Sequence, residues 1–351
     1  MKKIFMFAAM ASVALASCTK NEPAASVEQG EAIKFEPVVG VPTKVAEISG
    51  TTYDEDSFSV YAWYSAGAFA GTGTKYMSNV AATLVEAGSL ADGTDYYAPS
   101  TDYYWPKTGK LSFIAYSPTA LPAGSSLGDM TGTGTMVVNY VCPTDPAEQV
   151  DLLYSDWAVD KTSSTGAAGG YAGVDIAFNH ALSVVKFAFK GSSEAVAANI
   201  QLTDVQLTDV KTTGTLTCTW AANPTAVWSG QDTKSTFDVL IPTSYQLLAT
   251  ASEASLANNL ILIPQELEAK LVVSYKIKSP VQDNGEDVWI SQTPVTLNLS
   301  EAKVGEDELD EWNMNTKYTY TIVFDLDKVY FAPAVKEYIT PEVAGSLSET
   351  L

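Results

Sequence analysis

Short runs in which every second residue is apolar recur along almost the whole chain. Phe58, Val60, Ala62 and Tyr64 alternate with Ser59, Tyr61 and Trp63, and Leu111, Phe113 and Ala115 with Ser112, Ile114 and Tyr116. Further on, Val185, Phe187 and Phe189 point one way and Lys186 and Lys190 the other. Leu202, Val205 and Leu207 form a run broken by Asp204 and Asp209, and Phe237, Val239 and Ile241 lead up to Pro242. Leu271, Val273, Tyr275 and Ile277 alternate with lysines and Ser274, and Tyr318, Tyr320, Ile322, Phe324 and Leu326 with threonines and aspartates. A period of two gives a strand one apolar and one wet face, and many short runs of this kind predict antiparallel sheets packed as sandwiches. Residues 245–260 alone read as a helix, on Leu247, Leu248, Ala251 and Leu256. No β-α-β rhythm appears.

Turn and loop signals divide the chain. Lys107-Thr108-Gly109-Lys110 is a turn, residues 121–135 are rich in Gly, Ser and Thr, and residues 162–173 form a second small-residue stretch. Placing the domain change just after that stretch predicts an all-β protein of two antiparallel β-sandwich domains, residues 33–175 and 176–333. The length of 351 residues suits two domains with real cores.

The two ends carry their own patterns. Lys2 and Lys3 precede a short apolar run that ends at Leu15-Ala16-Ser17-Cys18. The run falls short of the ~20 residues a bilayer span needs, so residues 1–17 read as a secretory signal peptide. The ending looks like a bacterial lipobox, with Cys18 as the acylation point; the alternative is an ordinary cleaved signal with an incidental Cys. Residues 18–32 are polar and aperiodic, a flexible tether. At the other end, Val329, Phe331, Pro333, Val335, Ile339, Pro341, Val343 and Leu347 all fall on odd positions. Residues 334–351 therefore form a candidate donor or latch strand, with Val335, Ile339 and Val343 on its apolar face. Pro333 and Pro341 lack N–H donors and suit a sheet edge.

Charge narrows the functions. The net charge is −21, every cation is Lys, and arginine is absent. Such a surface repels phosphate backbones, which argues against nucleic acid as a partner. It also lacks the usual bidentate donor for carboxylate or phosphate clamps. Cys142 and Cys218 are the cysteines beyond Cys18. A disulfide between them stays open, although the division above puts them in different domains.

Catalytic chemistry finds no foothold, and no cofactor or metal is expected. His180 is the single histidine, at the start of a predicted strand and without a nucleophile motif nearby. It reads as a partly buried structural imidazole. The acidic groups Asp54-Glu55-Asp56 and Glu306-Asp307-Glu308 lack the spacing of a calcium loop. Tyr96-Tyr97 and Tyr103-Tyr104-Trp105 could stack on a sugar, which leaves a monomeric glycan-binding surface lipoprotein as an alternative.

Several segments in order resemble the fimbrillin-like (type V pilin) family of Gram-negative surface lipoproteins. They are the lipobox, Ile33-Lys34-Phe35, Pro42-Thr43-Lys44-Val45, Phe58-Ser59-Val60-Tyr61-Ala62 and Tyr103-Tyr104-Trp105-Pro106-Lys107. Leu111 to Pro118, Asp151-Leu152-Leu153-Tyr154-Ser155, Phe178-Asn179-His180-Ala181-Leu182-Ser183, Leu262-Ile263-Pro264-Gln265 and Trp312 to Ile322 complete the set. The resemblance implies transthyretin-like sandwiches, an outer-membrane lipid anchor and assembly with other fimbrial subunits by β-strand addition. It implies a structural or adhesive role, with a host or bacterial surface ligand as a further partner. It also implies that a protease removes residues 31–44 as a first strand. Many members are cut after Arg where this chain has Lys44, so either Lys44 is accepted or the subunit is an uncleaved anchor or accessory subunit.

Overall fold

A computed structural model describes residues 31–39, 53, 55–86, 95–128, 130, 134–163, 173–220, 225–239, 244–250, 259–304, 307–325, 329–332 and 335–338. Cys18, Lys44, Ile339 and Val343 lie outside the described residues.

In the first half the strands are β1 (Phe35–Val39), β2 (Ser57–Ser65), β3 (Thr74–Val85), β4 (Tyr96–Pro99), β5 (Lys110–Ser117), β6 (Ser126–Leu127), β7 (Thr135–Val141), β8 (Leu153–Ser155), β9 (Ala158–Lys161) and β10 (Val174–His180). Next come β11 (Ser183–Gly191), a short helix α1 (Glu194–Ala197), β12 (Ile200–Thr219), β13 (Thr225–Asp238), β14 (Tyr245–Gln246) and β15 (Leu260–Leu262). The remainder are β16 (Gln265–Glu266), β17 (Lys270–Lys278), β18 (Trp289–Ser291), β19 (Val295–Asn298), β20 (Lys303–Val304), β21 (Asp307–Glu308), β22 (Glu311–Trp312), β23 (Thr316–Phe324), β24 (Val329–Phe331) and β25 (Val335–Tyr338).

The all-β expectation holds, but the sheets are neither purely antiparallel nor two matching sandwiches. The first sheet runs β2-β3-β4-β1-β10-β8-β5, and β5 pairs back onto β2, so seven strands form a barrel-like ring. Closure removes two open edges and encloses a core of Phe35, Phe58, Val60, Phe113, Ile176 and Phe178. In the second half, a five-stranded sheet (β15-β11-β23 with β24 and β25) shares a core with an eight-stranded sheet built around β12 and β17. Among the described strands two contacts are parallel: β1 with β10, and β11 with β23. Their partners lie far apart in sequence, as parallel pairing requires, and alternation along a strand is the same for either direction.

Strand pairing does not follow the sequence order at the 175/176 division. β6 and β7 lie in the sheet of β12, while β10 belongs to the first sheet. The larger core also contains Tyr61, Trp63, Ile114 and Tyr116 from β2 and β5, so the outer face of the first sheet joins the second half. Phe69 against Trp220, at 5.0 Å, is a direct contact across that boundary.

Two local expectations change. Tyr245 and Gln246 form a strand on β12 rather than the start of a helix, and Leu260 opens β15; residues 251–258 lie outside the described set. Asp204 and Asp209 do not end a strand. Both mark register shifts inside the single 20-residue β12, and Asp209 takes a positive φ of 62°. A bulge lets one strand change phase and continue.

Candidate functional site

The first candidate site is the slot filled by β1. Ile33, Phe35 and Pro37 are buried while Glu31 and Glu36 are exposed. Phe35 packs edge-on against Phe58 and Phe113, with centroids 5.9 and 5.5 Å away. Tyr53 stacks on Phe178 at 5.2 Å and shares a 2.8 Å hydrogen bond with Ser117. The strand is held by Ile33 N donating to Tyr103 O, Trp105 N to Glu31 O and Val174 N to Lys34 O, at 2.8–2.9 Å. Gly173 makes the fit possible, since a Cβ there would stand 2.5 Å from the Phe35 backbone. Sequence reasoning passed over Gly173 and Tyr53; the glycine closing a small-residue stretch just before a strand was the available signal.

The second candidate site is the edge of β23. β24 and β25 both pair antiparallel with β23, end to end along the edge opposite β11. Val335, named from the sequence, is therefore in β25, on its own chain's sheet, opposite Thr319.

The other sequence candidates are structural. His180 ends a strand rather than starting one. Its Nδ1 lies 2.6 Å from Asp151 Oδ2 with both side chains buried, where the chain passes between the two cores. Cys142 and Cys218 are free thiols buried in one core, so the separate-domain placement fails. Burial pushes each thiol up to about 12. Tyr97 and Trp105 are buried, and Tyr96, Tyr103 and Tyr104 are half-buried. The Lys34 ammonium sits 4.1 Å over the Tyr96 ring, and Tyr103 is tilted 55° to Tyr76, so these rings make no flat sugar platform. Asp54 and Glu306 lie outside the described residues; Glu55, Asp56, Asp307 and Glu308 are exposed. Among the described residues no group of three or more His, Cys, Asp or Glu is placed to hold a metal ion, and no helix is long and apolar enough to cross a membrane.

A cavity of about 520 Å³ opens where β13 meets β16 and β22, lined among others by Val227, Trp228, Gln231, Glu266, Glu311 and Met314. Trp228 in that lining is fixed by its indole N–H, which donates to Ala181 O at 2.7 Å.

Comparison with solved structures finds the same fold in a fimbrial protein from Bacteroides vulgatus. It is 17% identical, with a TM-score of 0.61 over 88% of this chain and all of the other. A candidate cell adhesion protein from Bacteroides uniformis is 16% identical, with a TM-score of 0.53 over 88% of this chain and 98% of that one. At these identities the likeness is one of fold. Comparison with curated proteins finds no match. The model of the fimbrillin-like family matches residues 43–336, most of the described strands of both halves. The chain belongs to the fimbrillin-like family.

Proposed function

We propose that this protein is a structural or adhesive subunit of surface fimbriae. It reaches the outer membrane as a lipoprotein acylated at Cys18 and joins its neighbours by strand exchange. Cleavage after Lys44 releases β1. The vacated slot then accepts residues 334–351 of the next subunit, with Val335, Ile339 and Val343 on the buried row. Its partners are further copies or other fimbrial subunits, the membrane through the lipid anchor, and a host or bacterial surface ligand.

The observation that carries the reading is the burial of Ile33 and Phe35 by a strand at the chain's N-terminal end. Taking β1 away uncovers Phe58, Phe113 and Phe178 together with unpaired backbone on β10. An apolar groove beside free N–H and C=O groups is a template for an extended segment. A contact of this head-to-tail kind does not close and so grows fibres. Fimbrillin-like membership supports the same direction.

The test is a gel of surface-sheared material, loaded unboiled and boiled. A ladder that collapses to monomer on boiling is expected. Monomer in both lanes, from cells with the protein on their surface, removes the strand-exchange reading. Polymer with an intact N-terminus removes cleavage at Lys44 and leaves the anchor or accessory role.

A further inference from the structure

The eight-stranded sheet ends on one side at β18 and β19. Both pair with the same side of β17, since β12 takes the other. Apolar rows cross the sheet from the core to that edge. Ile200, Ile277 and Ile290 stand opposite one another on β12, β17 and β18. Ile200 is fully buried, Ile277 half-buried and Ile290 52% exposed. Leu207–Leu271–Leu297 and Val205–Val273–Val295 repeat the pattern on β19, buried on the first two strands and half-buried on the third. The core-facing side of the sheet therefore runs on to an edge that no further described strand covers.

The backbone of this edge is open too. Gln292 N donates to Tyr275 O and Leu299 N to Ala269 O, which fixes the residues that bond inward. Alternation then turns the N–H and C=O of Trp289 and Ser291 on β18, and of Thr296 and Asn298 on β19, away from β17. No further backbone bond reaches these four among the described residues. Between the Val273–Val295 and Lys276–Ser291 pairs, β17 supplies Ser274 and Tyr275, whereas the edge supplies Gln292, Thr293 and Pro294. The extra residue is a bulge that shifts the phase, so the outward residues are odd in β18 and even in β19. Residues 288–300 carry no charged side chain, in a chain of net charge −21. Acids return at Asp287 and Glu301, outside both strands.

We propose that this edge is a two-fold interface between two copies of the chain, with β18 of each copy running antiparallel beside β19 of the other. One register satisfies every outward group: Trp289 against Asn298 and Ser291 against Thr296, each pair exchanging both backbone bonds. The same register sets Ile290 against Leu297 on the core-facing side and so continues the apolar rows into the second copy. The two-fold axis falls between Thr293 and Pro294, at the bulge, where the proline breaks no ladder bond. A second copy is the occupant because the edge matches itself in hydrogen-bond phase and in apolar row. Its lack of charge lets two strongly acidic chains approach without opposing carboxylates. A contact of this self-matching kind closes on itself, so it pairs subunits and does not grow fibres. It is separate from the slot of β1 and does not rest on strand exchange.

The experiment is sedimentation velocity on the full-length chain carrying Cys18→Ala, which keeps lipid out of the measurement, at concentrations up to about 100 μM. A monomer–dimer equilibrium is expected. Ile290→Lys puts an ammonium into the apolar row of the interface and is expected to weaken the dimer about tenfold or more. Ile290 is already exposed in the single chain, so its fold should be kept. Ser291→Pro, which removes one outward N–H, is expected to weaken the dimer as well. Val281→Lys changes a residue 70% exposed in the hairpin outside the pairing and should leave the dimer as it is. The register is read from the double variant Ile290→Cys/Leu297→Cys, which oxidised glutathione should convert to a disulfide-linked dimer on a non-reducing gel. Monomer at every concentration overturns the interface. A dimer that survives Ile290→Lys, or that Val281→Lys weakens equally, also overturns it. So does a dimer in which the Ile290→Cys/Leu297→Cys thiols fail to link.

Discussion

Inside the larger core, Trp312 and Tyr320 match one buried donor to one buried acceptor. The indole N–H of Trp312 donates to the Tyr320 hydroxyl at 2.9 Å, and both side chains are buried. Burial raises Tyr320 well above the ordinary tyrosine range, so the hydroxyl stays neutral. Tyr320→Phe removes the acceptor and leaves a buried donor without it. A loss of ~1–3 kcal/mol is expected in urea unfolding, with the same fold by circular dichroism. Cys142 and Cys218 set a limit on the alkaline side. Burial lifts both thiols from 9.0 to about 12, so the folded state holds their protons more tightly than the unfolded chain does. The stability this gives is complete below about 9 and is lost as pH rises from there towards 12. The urea midpoint of the wild type should therefore fall more steeply between pH 9 and 11 than that of a Cys142→Ala/Cys218→Ala variant. Parallel curves would mean the thiols are reached by solvent. His180 was legible as structural, but its partner was not. Asp151 is 29 residues away along the chain, and no local pattern marks the pairing.

β1 depends on a missing side chain at the level of whole elements. Gly173→Ala places a Cβ 2.5 Å from the Phe35 backbone, so β1 or the segment before β10 must move. Faster hydrogen exchange over residues 33–39 and earlier proteolysis of the N-terminal segment are expected, with β11–β23 unaffected. Unchanged protection of residues 33–39 would show that the slot has slack. Phe35→Ala, which empties the centre of the smaller core, should cost ~3–5 kcal/mol. At the other end, Ile339→Asp should weaken the boiling-sensitive ladder sharply; an undiminished ladder removes the tail as donor. Most strands were readable as period-two runs, including β2, β5, β17 and β23. β12 was read as broken because acidic residues at bulges look locally like strand ends. The helix expected over 245–260 rested on a few leucines, and pairing of Tyr245 and Gln246 with β12 outweighed that weak periodicity.

For the whole molecule, the anchor and the assembly act together. Cys18→Ala should shift the protein from the membrane to the soluble fraction or block its processing, and mass spectrometry of the membrane-bound precursor, before any cut at Lys44, should find a lipid on that Cys. An unmodified Cys18 in that precursor would remove the lipoprotein reading. The two halves share one continuous core through Tyr61, Trp63, Ile114 and Tyr116, so they are expected to melt in a single calorimetric transition. Two separated transitions would show that this shared layer is weak.

By itself the sequence determined the strand-rich character, the buried face of most strands and the absence of a catalytic motif. All of these are local: side chains alternate along a strand whatever lies beside it, and charge and composition need no partner to be read. Only the tertiary structure decided which strands touch. It closed the first sheet through β2 and β5, made β1–β10 and β11–β23 parallel, and moved β7 into the sheet of β12. It also set β25 one residue out of step with β24. Direction, neighbour and register are properties of pairs, fixed by contacts between segments far apart in the chain, and a period of two is blind to all three.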